Sequence, residues 1–75
     1  MIDIAPRIQI DGNIRFGKPV IKGTRVPVDL IVAKLAGGMT YEEIIQEYEL
    51  TKKDIFACLE YAAKQLSLEE VRAVR

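Results

Sequence analysis

The chain reads as a mainly α fold. It has a three-helix, helix-turn-helix core, a short N-terminal β-hairpin arm and a short C-terminal helix. Three observations predict this. Pro6, Gly12, Gly17, Pro19, Gly23 and Pro27 punctuate the first 27 residues, too densely for a helix. From Pro27 onward, apolar residues recur at helical spacing in three successive runs. The runs are separated by Gly37-Gly38 and by Glu49-Leu50-Thr51, connections as short as a helix-turn-helix requires. Seventy-five residues allow one domain, divided into arm and loop (1–26), core (27–66) and a short C-terminal helix or tail (67–75).

In the arm, Ile8-Gln9-Ile10 and Ile14-Arg15-Phe16 alternate apolar and polar residues around Asp11-Gly12-Asn13, a hairpin-turn composition. Val20-Ile21 offers a further short β segment. Strands of this length need helices, a second chain, or both to hold them. The first helix is expected from Pro27, whose missing N–H suits a first helical position, to Ala36. Val28, Ile31, Val32 and Leu35 form its stripe, widened by Leu30, and Gly37-Gly38 supply the left-handed C-cap. Thr40 and Glu43 make a capping box for a second helix of about two turns, with Tyr41, Ile44, Ile45 and Tyr48 inward and Glu42, Gln46, Glu47 and Glu49 outward. Thr51 with Asp54 caps the third and longest helix, through Ile55, Leu59, Ala62, Ala63 and Leu66. Ser67 with Glu70 repeats that spacing for a last turn or two through Val71 and Val74.

Composition narrows the functions. With no histidine and one cysteine, Cys58, the chain lacks a histidine base, a disulfide framework and the soft ligands of a conventional zinc site. Gly17-Lys18-Pro19 fails as a phosphate loop, because proline follows the lysine and the earlier glycine is missing. Cys58 falls inside the third helix and reads as a small buried hydrophobe. Neither an enzyme nor a cofactor is expected. No apolar run is long enough for a membrane span and no signal peptide is visible, so a reduced, cytoplasmic setting is expected, with no membrane partner. The formal net charge is zero, yet unevenly spread. Residues 1–38 carry six basic against three acidic side chains, and residues 39–75 five against eight. That asymmetry builds a bipolar surface or lets two chains attract.

Two groups of cations are candidate phosphate contacts. Lys18, Lys22 and Arg25 share the loop-rich segment before the first helix, with solvation or pairing to acidic groups as the alternatives. Lys52 and Lys53 occupy the first turn of the third helix, where the macrodipole disfavours cations and a DNA phosphate would reverse the penalty. Glu47 and Glu49 just upstream could equally neutralise them. Farther along the same face come Phe56, Glu60 and Lys64, poor equipment for reading bases. Tyr41, Tyr48 and Tyr61 read as core residues with hydroxyls at the rim. Ile8, Ile10, Ile14 and Phe16 lie in a part too small to hide them and are candidate contacts of a homodimer paired along strand edges.

The ordered block Gly17-Lys18-Pro19-Val20-Ile21-Lys22-Gly23-Thr24-Arg25-Val26-Pro27-Val28 carries a resemblance. It continues in Leu35-Ala36-Gly37-Gly38-Met39-Thr40-Tyr41-Glu42-Glu43-Ile44, Tyr48 and Leu50-Thr51-Lys52-Lys53-Asp54-Ile55. This resembles domain-of-unknown-function family 433, related to VapB-type antitoxins. The resemblance implies a homeodomain-like helical core with a β-bearing arm, commonly dimeric. For some members it implies the antitoxin of a toxin–antitoxin pair whose toxin is a PIN-domain ribonuclease. Lys18, Gly23, Thr24 and Arg25 fall on the family block. Gly23 would allow a close turn, Thr24 tie its backbone, and Arg25 pair across the arm or touch phosphate. The chain departs from the family at Phe16, where a glycine often stands, and at Asp11-Gly12, where many members have Asp-Pro. Two readings follow. One is a dimeric antitoxin that binds its own double-stranded promoter DNA and neutralises a PIN-domain toxin. The other is a small homodimeric interaction module without DNA affinity.

Overall fold

Helix boundaries follow the local chemistry closely. In the computed structural model, which describes residues 1–69, α1 spans Val28–Ala36, α2 Tyr41–Tyr48 and α3 Lys52–Leu68. Both capping boxes form. The Thr40 hydroxyl accepts from the Glu43 amide while the Glu43 carboxylate accepts from the Thr40 amide, and Thr51 and Asp54 repeat the exchange. Such a cap contributes about 1 kcal/mol to a helix of this length. Pro27 sits one position earlier than expected, as an extended residue outside the helix. At the other end of α1, Gly38 takes φ +100° and the Gly38 and Met39 amides close onto the Leu35 and Lys34 carbonyls. That is the Schellman closure.

The arm is a three-stranded antiparallel sheet in the order β1 (Ile2–Ala5), β2 (Ile8–Ile10), β3 (Val20–Ile21). Its hairpin joins β1 to β2 through Pro6-Arg7, with Arg7 at φ 64°. The expected partner strand, Ile14–Phe16, is instead a tight turn. Arg15, Phe16 and Gly17 have φ of 51°, 56° and 80°, so three successive residues are left-handed and no strand ladder can form. Two of them are not glycine, at roughly 1–2 kcal/mol each. Hydrogen bonds from the Ile14, Gly17 and Lys18 amides to the Asp11, Ile14 and Arg15 carbonyls hold the turn closed.

One core joins sheet and helices. Ile8 and Ile21 are cross-strand partners and pack with Val28, Ile31, Ile44, Leu50, Ile55 and Cys58. Tyr41, Tyr48 and Tyr61 lie half-buried against it, as expected. Gln9, 3 % exposed, is satisfied on both sides: its amide donates to the Asp3 carboxylate and its carbonyl accepts from the Gly23 amide. The arm therefore covers much of itself. Ile8 is wholly enclosed by its own chain and offers nothing to a second copy, contrary to the expectation from sequence. The reason is that α3 lies directly over β2, so the inward face of the sheet meets a helix. Ile10 and Ile14 are half-buried, and Phe16 is left wholly in solvent at 103 % exposure.

A separate C-terminal helix beginning at Ser67 is also corrected. α3 runs unbroken through Ser67 to Leu68, and the Ser67 hydroxyl donates back to the Lys64 carbonyl instead of capping a new helix. The expected capping partner Glu70, with Val71 and Val74, lies outside the described residues. Among the described residues no helix is long and apolar enough to cross a membrane.

Candidate nucleic-acid interface

The N-terminal end of α3 is where cations gather. Lys52 and Lys53 are exposed in its first turn, preceded by the Thr51 cap. Asp54, one residue on, receives the Arg7 guanidinium from the β1–β2 turn at 2.9 Å. Arg7 is also tied through its backbone, since its carbonyl accepts from the Lys22 amide at 2.7 Å. Lys22 and Arg25 then share one turn, closed by the Ile21 amide on the Val26 carbonyl. Gly23 has φ +79° at its tip. The Thr24 hydroxyl ties the turn from inside, donating to the Ile21 carbonyl and accepting from the Val26 amide. The roles expected of Gly23 and Thr24 are those the structure gives them. Arg7, Lys52 and Lys53 thus meet at the start of α3, and Lys22 and Arg25 sit on the turn whose backbone is hydrogen-bonded to Arg7.

Neighbouring carboxylates temper this charge. Lys22 pairs with Asp3 at 3.3 Å, both side chains well exposed, so the pair contributes little to stability and opens readily to a competing anion. Hydrogen bonding from Lys22, then from Gln9, lowers the Asp3 pKa. Asp54 is held more firmly, its side chain 14 % exposed. Burial alone would raise its pKa, but the Thr51 amide and hydroxyl and the Arg7 guanidinium outweigh that and lower it. Arg25 is exposed and has no carboxylate within ion-pair reach among the described residues.

Lys18 belongs elsewhere. It pairs with Asp29 of α1 at 3.1 Å and lines a different surface, a groove between α1 and α3, with Tyr61 and Leu66. It does not join the other four candidate cations. On the candidate face itself, Pro6, Arg7, Lys53, Phe56 and Glu60 line a shallow cleft of about 250 Å³. Phe56 stands half-exposed, edge-on to Tyr41 at 5.8 Å between ring centres. Glu60 places one anion among these cations. α2, which in a helix-turn-helix crosses the phosphate backbone, shows solvent Glu42, Glu43, Gln46 and Glu47, followed by Glu49 at its end, and no cation. On this face the exposed cations are therefore confined to the arm and the first turn of α3.

Arg7 escaped the sequence reading. Its signal was present in Ile2-Asp3-Ile4 before Pro6-Arg7 and Ile8-Gln9-Ile10 after it, two alternating segments about a two-residue turn. Cys58 is buried, and burial followed by the Asp54 charge pushes its thiol up to about 12, consistent with a packing role.

Three helices joined by short turns, with a small sheet packed on the last of them, define a compact helix-turn-helix-like unit. Residues 8–62 match the family described as "Protein of unknown function (DUF433)", and the chain belongs to that family. The crystal structure of a DUF433 member protein from Anabaena variabilis is similar, with a TM-score of 0.76 and 31 % identity. The match covers 81 % of this chain and 61 % of that one. An uncharacterized protein of Archaeoglobus fulgidus is 61 % identical over 23 residues, which make up 31 % of this chain and 64 % of the relative.

Proposed function

We propose that this DUF433 protein is a DNA-binding antitoxin that acts by binding rather than catalysis, represses its own promoter and neutralises a PIN-domain ribonuclease in the cytoplasm. The observation that carries the DNA part is the meeting of Arg7, Lys52 and Lys53 at the N-terminus of α3, with Lys22 and Arg25 on the turn hydrogen-bonded to Arg7. In a helix-turn-helix this end of the last helix meets the duplex, and lysines there contact phosphate without reading bases. The Arg7–Asp54 bond locks the arm to that end, so cations from distant parts of the chain reach the same backbone. The toxin part rests on the family resemblance.

A shift assay with the DNA upstream of the chain's own coding region, titrated with salt, tests the reading. Binding should weaken with salt, and Lys52→Gln with Lys53→Gln should reduce the logarithmic salt slope by about 2. Lys18→Gln, at the far groove, should leave binding unchanged. Ribonuclease inhibition by the purified chain, assayed against the PIN-domain protein of the neighbouring gene, checks the toxin part. A second reading, a homodimeric interaction module without DNA affinity, is favoured by the acidic face of α2 and the ion pairing of Lys22. Absence of any shift at low salt selects it.

A further inference from the structure

We propose that the cleft between the β1–β2 turn and α3 takes the unpaired base of a guanine nucleotide. The base stacks on Phe56, its pairing edge meets Glu60, and its phosphate meets Lys53 and Arg7. The cleft measures about 250 Å³ and is lined by Pro6, Arg7, Lys53, Phe56, Ala57 and Glu60. Lys53, Phe56 and Glu60 follow one another at steps of three and four residues, so they form one stripe along α3. Arg7 reaches the same cleft from the sheet, anchored by its 2.9 Å bond to Asp54. Pockets that enclose a whole small molecule start at roughly 300 Å³, so this shallow cleft suits one ring with its sugar outside.

Three properties of these walls select the ligand. The first is the open aromatic ring. Phe56 is 50 % exposed although Tyr41 lies against it, and their rings meet at 69°. An edge-on pair of this kind leaves at least one face of Phe56 uncovered by Tyr41. Unpaired bases are held by stacking on such rings. The second is the pair of cations beside that ring. Lys53 is exposed and has no carboxylate within ion-pair reach among the described residues. Arg7 is bound to Asp54 through one guanidinium nitrogen, and the fork has further donors for a phosphate. The third is Glu60, exposed and likewise without an ion-pair partner among the described residues. Helical side chains lean towards the N-terminus, which carries Glu60 over the turn that bears Phe56. An ionised carboxylate only accepts hydrogen bonds, at two adjacent oxygens. Guanine presents two adjacent N–H donors on its pairing edge, N1–H and the 2-amino group, and so matches it. Adenine and cytosine set one donor beside an acceptor, and thymine sets one between two acceptors, so each meets the carboxylate with a lone pair. In a duplex that edge is consumed by pairing. Glu60 is thus a poor reader of paired DNA and a suitable reader of an unpaired guanine.

This site goes beyond duplex binding while sharing Lys53 and Arg7 with it, so the two are tested apart. The full chain is titrated, by fluorescence anisotropy, onto labelled single-stranded oligothymidylates carrying one central guanine, adenine or hypoxanthine. Hypoxanthine is guanine without the 2-amino group. The guanine strand should bind about tenfold more tightly than either of the others. Phe56→Leu, which keeps an apolar contact with Tyr41, should weaken all three strands about fivefold or more. Glu60→Gln should bring the three to within about threefold of one another without weakening the adenine strand. A purely structural role for Glu60 would not produce that split. Glu60 is exposed, so this variant should melt like the parent. Guanosine monophosphate in excess displaces the guanine strand if the free nucleotide suffices, and leaves it bound if neighbouring phosphates are needed; both results keep the guanine site. Equal affinity for the three strands overturns the proposal, as does a guanine preference that survives Glu60→Gln, or no binding of any strand at low salt. A promoter shift without guanine preference overturns this site alone, whereas guanine-strand binding without a promoter shift overturns the duplex reading alone.

Discussion

The two ends of α3 are built on opposite terms. At the N-terminal end the capping groups are all satisfied: Thr51 and Asp54 exchange hydrogen bonds with each other's amides, and Arg7 arrives from the arm to close the network. At the C-terminal end Leu66 and Leu68 are exposed, and residues 63–69 touch solvent throughout. The difference teaches that the sheet and α3 stabilise each other locally. Where the sheet covers α3 its apolar residues are enclosed; past the reach of α1 the described residues leave them exposed.

The largest test of that contrast is Ile8→Ala. Ile8 is enclosed by its own chain, so the loss should be about 2–5 kcal/mol in urea unfolding and independent of protein concentration. If the arm were held by a second copy, the loss would shrink on dilution. An Ile4→Ala change on β1, which shows its side chain to solvent, should cost far less.

Next comes the polar end. Asp54→Asn weakens the capping box and the Arg7 bond, at about 1–2 kcal/mol near neutral pH. The pH dependence has a definite sign. The folded Asp54 carboxyl titrates below its unfolded value, so its contribution is present above about pH 4 and is lost as the pH falls through the folded pKa. The Asp54→Asn variant should therefore lose less stability than the parent between about pH 5 and pH 2, as followed by thermal melts. Asp3 and Glu43 shift in the same direction but are open to solvent, so the acid limb flattens only in part.

Legibility in the sequence followed the range of the interactions. Both capping boxes and the Gly38 closure could be read because all their atoms lie within six residues of one another. The hairpin was misplaced because alternation at Ile14-Arg15-Phe16 looks the same whether a strand partner exists or not. The hydrogen bonds that curl 11–18 into a turn leave no mark on hydropathy. Of the candidate site, Lys22, Arg25, Lys52 and Lys53 were legible as cations, but not that Lys18 would separate from them. The Arg7–Asp54 bond, which spans 47 residues, decides that grouping and has no local signature.

The smallest expected effect is the most informative about the apolar end. Replacing exposed Leu68 by Ser should leave the dilute chain within about 0.5 kcal/mol of the parent, because none of the described residues covers it. It follows Tyr61 by seven residues and so shares a stripe of α3 with a wall of the groove. Any stability it contributes must then appear only as concentration rises, as a melting temperature that climbs in the parent and climbs less in the variant. A melting temperature lowered equally at all concentrations would mean that α3's last turns are covered from within, and the contrast between its two ends would disappear.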